Sequence, residues 1–188
     1  MLPVLAIAIA IAGCNNASPP GTGKPVGATA ETTAPTAAES GVTLQRIDKA
    51  GFSAVVGHLP GKVILVDFWA TWCPYCRENF PHVVELSRNL APQGLVVISV
   101  ACDDEEKAAE AFEFLKDQKA TFQNLRAALG SSPETFEDFD IDGGALPHYK
   151  LYDRKGKLRK TFAVDPDADD QFKLDEIDAA VDELLGEG

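Results

Sequence analysis

Two cysteines stand three apart in the run Trp72-Cys73-Pro74-Tyr75-Cys76, and Asp67 interrupts the apolar stretch just before them. Thiols at that spacing close a small disulfide ring without unfolding their surroundings, so the pair can cycle between dithiol and disulfide. The pair falls where a strand should end and a helix begin. A helix N-terminus presents unpaired N–H groups and partial positive charge, which favour a thiolate in its first turn. Cys73, nearer the loop, is the expected nucleophile toward a substrate disulfide, and Cys76, one turn deeper, the expected resolving thiol. Pro74 suits the first helical turn, where its missing N–H costs little. Resolution requires Cys76 to lose a proton. A carboxylate with no task would be costly in an apolar strand, and a raised pKa would let Asp67 accept that proton through a bridging water. The plainer role for Asp67 is that of a hydrogen-bonded structural residue.

The remaining candidates are weaker. A CxxC is also half of a zinc site, with Cys102, His82 or His148 as conceivable partners, but no second CxxC or CxxH supplies the four ligands of a structural site. No metal and no cofactor is expected. Cys102 closes an apolar run and reads as an inert core thiol, with a third redox thiol as the alternative. His148 reads as a strand-start residue, and His58 and His82 as surface residues. Trp72 is expected to shape the surface around Cys73, and Trp69 to lie in the core.

These residues need elements to hold them. Lys62–Trp69 is continuously apolar except at Asp67, the pattern of a central strand buried on both faces. A helix over Pro74–Leu90 follows, then a second buried strand over Leu95–Cys102 and an amphipathic helix over Asp103–Lys119, with Ala108, Phe112 and Leu115 at helical spacing. Before them, Val42–Arg46 reads as a short strand and Asp48 as the cap of a helix to about Val56. After them come a short helix over Pro133–Phe139, strands over His148–Tyr152 and Leu158–Val164 joined by a turn, and a closing helix over Leu174–Leu185. Strands alternating with helices imply an α/β fold with a mixed central sheet flanked by helices, its parallel members joined by crossovers and its final hairpin antiparallel.

The segment KVILVDFWATWCPYC closely resembles the active-site segment of thioredoxins, with a buried Asp, a pair of Trp and CxxC at these spacings. Pro81 matches the helix-kinking proline, and Leu146-Pro147 after Gly143-Gly144 matches the loop that carries the family's cis-proline. The extra strand-and-helix material before Pro147 resembles the TlpA/ResA type of membrane-anchored thiol-disulfide oxidoreductase. The resemblance implies a thioredoxin fold with an inserted strand-helix element, Cys73 as nucleophile, Cys76 as resolving thiol, and Pro147 in cis beside them. It also implies that the backbone of Leu146 pairs with the substrate chain like an added strand, next to a surface formed by Trp72, Pro74 and Tyr75. Reduction of protein disulfides is the direction the resemblance favours. The dipeptide Pro74-Tyr75 differs from the usual thioredoxin Gly-Pro and resembles that of glutaredoxins. A peroxiredoxin pattern is absent, since Val66 and Ala70 stand where its Pro and Thr would be.

Composition limits the alternatives. The 188 residues suffice for one ordinary domain and a modest extension. A net charge of −12 has the wrong sign for neutralising phosphates, so no nucleic-acid partner is expected. Residues 165–188 hold ten acidic side chains and one Lys, which reads as a solvated helix face. At the other end, Leu2–Ala12 is wholly apolar but spans only about half of a ~30 Å hydrocarbon layer, which suits a signal peptide. Ile11, Ala12, Gly13 and Cys14 resemble the bacterial lipobox, which implies a signal peptide over 1–13 and lipidation of Cys14. Residues 14–41, rich in Pro, Gly, Ala and Thr, read as a disordered tether to a thioredoxin-like domain over 42–188. The expectation is a monomeric, extracytoplasmic, membrane-anchored lipoprotein that exchanges disulfides with protein substrates and a redox partner. Its alternative is a redox-inactive binding module on the same fold.

Overall fold

The computed structural model describes residues 41–165, 167 and 171–187. The expected signal segment 1–13 and the tether with Cys14, all but its last residue, lie outside the described residues.

Six strands form one sheet in the order β1-β4-β3-β2-β5-β6. At its centre β2 (Val63–Trp69) is buried at every position, because it pairs with β3 (Leu95–Ala101) on one side and β5 (His148–Tyr152) on the other, with helices on both faces. That environment is why its sequence is continuously apolar rather than alternating. The β2, β3 and β4 pairings and the β1–β4 pairing are parallel, whereas β5 joins β2 and β6 (Leu158–Ala163) antiparallel. The mixed sheet and its antiparallel hairpin are as expected. The hairpin turn is fixed by Asp153, whose Oδ1 accepts from the backbone N–H groups of Lys155 and Lys157 at 2.9 and 3.0 Å.

Helices cover both faces. Phe52 and Val56 of α1 (Lys49–Gly57), with Phe136 of α4 (Pro133–Asp138) and the following Phe139 and Ile141, pack on Ile64, Val66, Phe68, Ile98 and Val100. On the opposite face lie α2 (Pro74–Leu90), α3 (Ala108–Asp117) and α5 (Leu174–Gly186). Helix α1 starts at Asp48, whose carboxylate accepts from Gly51 N–H at 2.8 Å, the N-cap its sequence position suggested. The acidic surplus of α5 sits on its outer side. Ile177, Ala180, Val181 and Leu184 turn inward, while Asp175, Glu176, Asp182 and Glu183 are exposed.

Three expectations need correction. The residue pattern placed no strand between Lys119 and Pro133, although the resemblance implied an inserted strand before Pro147, and β4 (Gln123–Ala127) runs there between β1 (Gln45–Ile47) and β3. Its polar letters hide it, because Asn124 and Arg126 are buried but satisfied. Asn124 Nδ2 donates to the carbonyls of Ala120 and Phe122 at 2.8 and 2.9 Å, and its Oδ1 accepts from Ser99 Oγ at 2.8 Å. Arg126 donates to the Asp103 carbonyl at 3.2 Å and pairs with Glu105. Second, the helix expected from Asp103 starts later, after a 3-10 turn over Glu105–Lys107, because the Asp103 and Asp104 carboxylates are engaged by neighbouring loops. Third, the first strand pairs only from Gln45, three residues after its expected start. Strand β4, reached from β3 through α3, lies between β1 and β3 and supplies the strand of the inserted element that the resemblance implied.

Candidate active site

Strand β2 ends at Trp69 and, after a turn in which Cys73 N–H donates to the Ala70 carbonyl at 3.1 Å, the chain enters α2. Cys73 is the N-cap of that helix. Its Sγ takes the place usually held by a hydroxyl or carboxylate oxygen and accepts from Cys76 N–H at 3.2 Å. Pro74 occupies the first turn as expected, and Pro81 lies inside the helix. Cys73 and Cys76 form a disulfide, with their Cα atoms 5.3 Å apart. Both are nearly enclosed, Cys73 at 4% exposure and Cys76 at 1%, whereas their neighbours Trp72 and Tyr75 are exposed at 52% and 70%. The bond is therefore nearly enclosed, with an exposed aromatic residue next to each cysteine in the chain.

Asp67 sits two residues before the end of β2. Strand side chains alternate between faces, which places Asp67 and Trp69 on the α2 side and Val66 and Phe68 on the α1 side. Neither carboxylate oxygen of Asp67 has a hydrogen-bond partner among the described residues. Burial alone pushes its carboxyl well above the ordinary range. The hydrogen-bonded structural role is thus not what its surroundings support. In register with Asp67 on β5 is Tyr149, whose hydroxyl is also pushed well up, by burial first and by the Asp67 charge second, against an opposing contribution from the Asn79 side chain on α2.

The Leu146-Pro147 bond is cis. Leu146 packs against the apolar cluster that contains both Cys73 and Cys76, so the loop before β5 and the start of α2 meet at one end of the sheet. Of the expected flanking residues, Leu146 packs on the cluster that holds the cysteines, Pro147 follows it, and Trp72, Pro74 and Tyr75 adjoin the cysteines in the chain. His148 is fully buried and meets the Phe68 ring edge-on at 5.9 Å, on the sheet face away from Asp67. Cys102 likewise belongs to the α1-side core. Its thiol is pushed far up by burial, and further by the Asp103 and Asp67 charges, which makes it an inert interior sulfur. His82 is not simply a surface residue, because its Nε2 meets Asp178 Oδ1 of α5 at 2.8 Å. Among the described residues no group of three His, Cys, Asp or Glu side chains is arranged to hold a metal, and no helix is long and apolar enough to cross a membrane.

Two contacts escaped the sequence reading. Thr71, in the turn before Cys73, donates from both its N–H and its hydroxyl to the buried Asp103 carboxylate, at 3.1 and 2.6 Å. Burial raises the Asp103 carboxyl and these Thr71 bonds oppose the rise. Ser131, in the loop after β4, accepts from the Trp72 indole N–H at 3.3 Å. The aspartate after the apolar run of β3 was the available signal, and it reads equally well as a first helical residue. No local pattern marks the serine.

Comparison with known proteins places this arrangement. The Redoxin family model matches residues 29–181. A thiol:disulfide interchange protein DsbE from Pasteurella multocida is 34% identical over 100 residues, covering 48% of this chain and 50% of that protein. The thiol-disulfide oxidoreductase ResA of Bacillus subtilis is 25% identical over 113 residues, covering 60% of this chain and 59% of that one. The chain thus spans about half to three-fifths of the length of these curated relatives. Among solved structures, a thioredoxin-family thiol:disulfide interchange protein from Chlorobium tepidum superposes with a TM-score of 0.54 at 25% identity, covering 71% of this chain and 85% of that one. The family model covers well over half of the chain, and on that ground the chain belongs to the Redoxin family, with the structural match showing a thioredoxin fold.

Proposed function

We propose that this protein is a thiol-disulfide oxidoreductase that reduces disulfides in protein substrates through Cys73 and Cys76. The observation that carries the reading is the Cys73–Cys76 disulfide at the N-terminus of α2, with the unpartnered Asp67 carboxyl buried in the strand that leads to it. In the dithiol state, the helix N-terminus and the Cys76 N–H stabilise a Cys73 thiolate. That thiolate attacks one sulfur of the substrate disulfide. A Cys73–substrate bond forms, the substrate S–S bond breaks, and the leaving thiolate takes up a proton. Cys76 then gives its proton toward Asp67 and attacks Cys73 Sγ, releasing the second substrate thiol. The substrate gains two electrons and two protons, the enzyme ends as the disulfide, and an external dithiol donor must restore it. Leu146, before the cis-proline, offers its backbone to the substrate strand, and Trp72, Pro74 and Tyr75 flank the reacting sulfurs.

The lipobox resemblance at Cys14 supports an extracytoplasmic, membrane-anchored location, with the domain carried on the tether as a monomer. Two or more acyl chains on that residue suffice for durable attachment.

Replacing Cys76 with Ser should trap a Cys73-linked mixed disulfide with an oxidised substrate protein, while Cys73→Ser should abolish turnover. Non-reducing electrophoresis and peptide mapping read both outcomes. Turnover that survives Cys73→Ser, or no covalent adduct from Cys76→Ser, contradicts the roles and favours a redox-inactive binding module.

Asp67→Asn should slow the resolving step on the order of 10²-fold in stopped-flow exchange, the usual scale for a lost proton acceptor, with attack by Cys73 much less affected. Because burial raises the Asp67 carboxyl, the folded chain retains a proton that the unfolded chain releases near pH 3.8, and stability therefore falls as pH rises through that window. Asp67→Asn should accordingly be more stable than wild type at pH 7 in urea unfolding, with the gain shrinking toward pH 3.8. A stability difference independent of pH, or equal slowing of both steps, contradicts this account.

Membrane fractions of expressing bacteria test the anchor. Wild type should pellet and be released by detergent, whereas Cys14→Ser should be soluble or remain unprocessed. A Cys14→Ser protein that is processed and pellets like wild type rules the lipid anchor out.

A further inference from the structure

The loop after β4 reaches Trp72, the residue before Cys73, through the Ser131 hydroxyl. Ser131 Oγ donates to the Cys102 carbonyl at 2.7 Å and accepts from the Trp72 indole N–H at 3.3 Å. Its own position is held from behind, since Ser131 N–H donates to Asp104 Oδ1 at 2.9 Å. Gly130, just before it, has φ +60°, and a Cβ there would lie 2.0 Å from that same Asp104 oxygen. Only glycine allows the loop this close to the carboxylate. The end of β3 therefore grips both loops that meet at Trp72. Asp103 holds Thr71 on one side, and Asp104 holds Ser131 on the other.

What these contacts present is apolar. Trp72, Tyr75 and Leu129, exposed at 52%, 70% and 53%, lie on the two segments that the Ser131 hydroxyl links, and among the described residues the remaining exposed large hydrophobic side chain, Leu158, is less so at 41%. Clustered exposed apolar groups mark interaction surfaces, and an aromatic ring held in one orientation offers contact area at a small cost in conformational entropy.

We infer that Ser131 is a positioning residue. It fixes the Trp72 indole as a wall beside Cys73, so that the site selects disulfides in polypeptide segments carrying an aromatic or large aliphatic side chain next to the cysteine. The selection rests on the oxidoreductase reading above, whereas the fixed ring is a property of the folded chain and is tested without turnover.

The experiment compares Ser131→Ala, Ser131→Thr and Trp72→Phe in the full chain. Trp69 is completely buried, so acrylamide quenching of tryptophan fluorescence reads Trp72. Ser131→Ala should raise the quenching constant about two-fold, and Ser131→Thr, which keeps the hydroxyl, should restore it. With a peptide disulfide flanked by Phe, Ser131→Ala should raise KM about 5-fold, the factor a single net hydrogen bond commands, with kcat changed by less than about two-fold. Ser131→Thr should return that KM toward wild type, and glutathione disulfide should show no such rise. In the Trp72→Phe background, which keeps an aromatic ring but lacks the N–H, Ser131→Ala should add nothing further. The inference is overturned by unchanged quenching, by equal KM increases for both disulfides, or by a Ser131→Ala effect that persists without the indole N–H. A wild-type chain that reduces neither disulfide would overturn the oxidoreductase reading and the selection with it, while the quenching comparison would still decide whether Ser131 holds the ring.

Discussion

A helix N-terminus leaves four N–H groups without intrahelical partners, and in α2 one of them is answered by sulfur. Cys76 N–H points at Cys73 Sγ, so the group that closes the helix is itself one half of the disulfide. Everything around the junction serves to keep that helix start in one place. Strand β2, buried at all positions, delivers the chain to it, and the α2 side chains Phe80, Val83 and Val84 fasten the helix to the sheet. The two cysteines are nearly enclosed because the strand and most of the turn are buried, whereas Trp72 and Tyr75 beside them reach solvent.

The same end of the sheet carries a division of labour among carboxylates. Asp67 has no hydrogen-bond partner among the described residues, and burial pushes its carboxyl well up, which suits it to exchanging a proton. Asp103, equally inaccessible to solvent, is occupied by three bonds from Thr71 and holds the turn before Cys73. Asp104, exposed, anchors the loop after β4. Three carboxylates at one sheet end thus do different things, and hydrogen-bond supply rather than residue type separates them.

The sequence was most readable where one force dominates. Continuous apolar letters identified β2 and β3, the CxxC with Pro74 located the start of α2, and the closing helix α5 lies within a residue of its expected extent. It failed where buried polar groups satisfy one another. Strand β4 reads as a loop because Asn124 and Arg126 find partners on Ala120, Phe122, Ser99 and Asp103 that only the folded sheet brings together. Asp103 reads as a helix start because its real partner, Thr71, is 32 residues away. The neighbours of Asp67 were partly hidden for the same reason, since Tyr149 comes opposite it only through the β2–β5 register.

The central claim is that the two sulfurs at the head of α2 bond and part as a reversible two-electron pair while the domain stays folded. The most direct measurement is an equilibrium titration of the native chain against dithiothreitol redox buffers, with acid quenching, maleimide labelling and mapping of the labelled peptides. The account predicts that Cys73 and Cys76 become labelled together in one two-electron transition, at a potential above the roughly −300 mV below which structural disulfides resist reduction, with Cys102 unlabelled until the chain unfolds. A pair that stays oxidised in the folded chain below that potential, or labelling that requires unfolding, would contradict it.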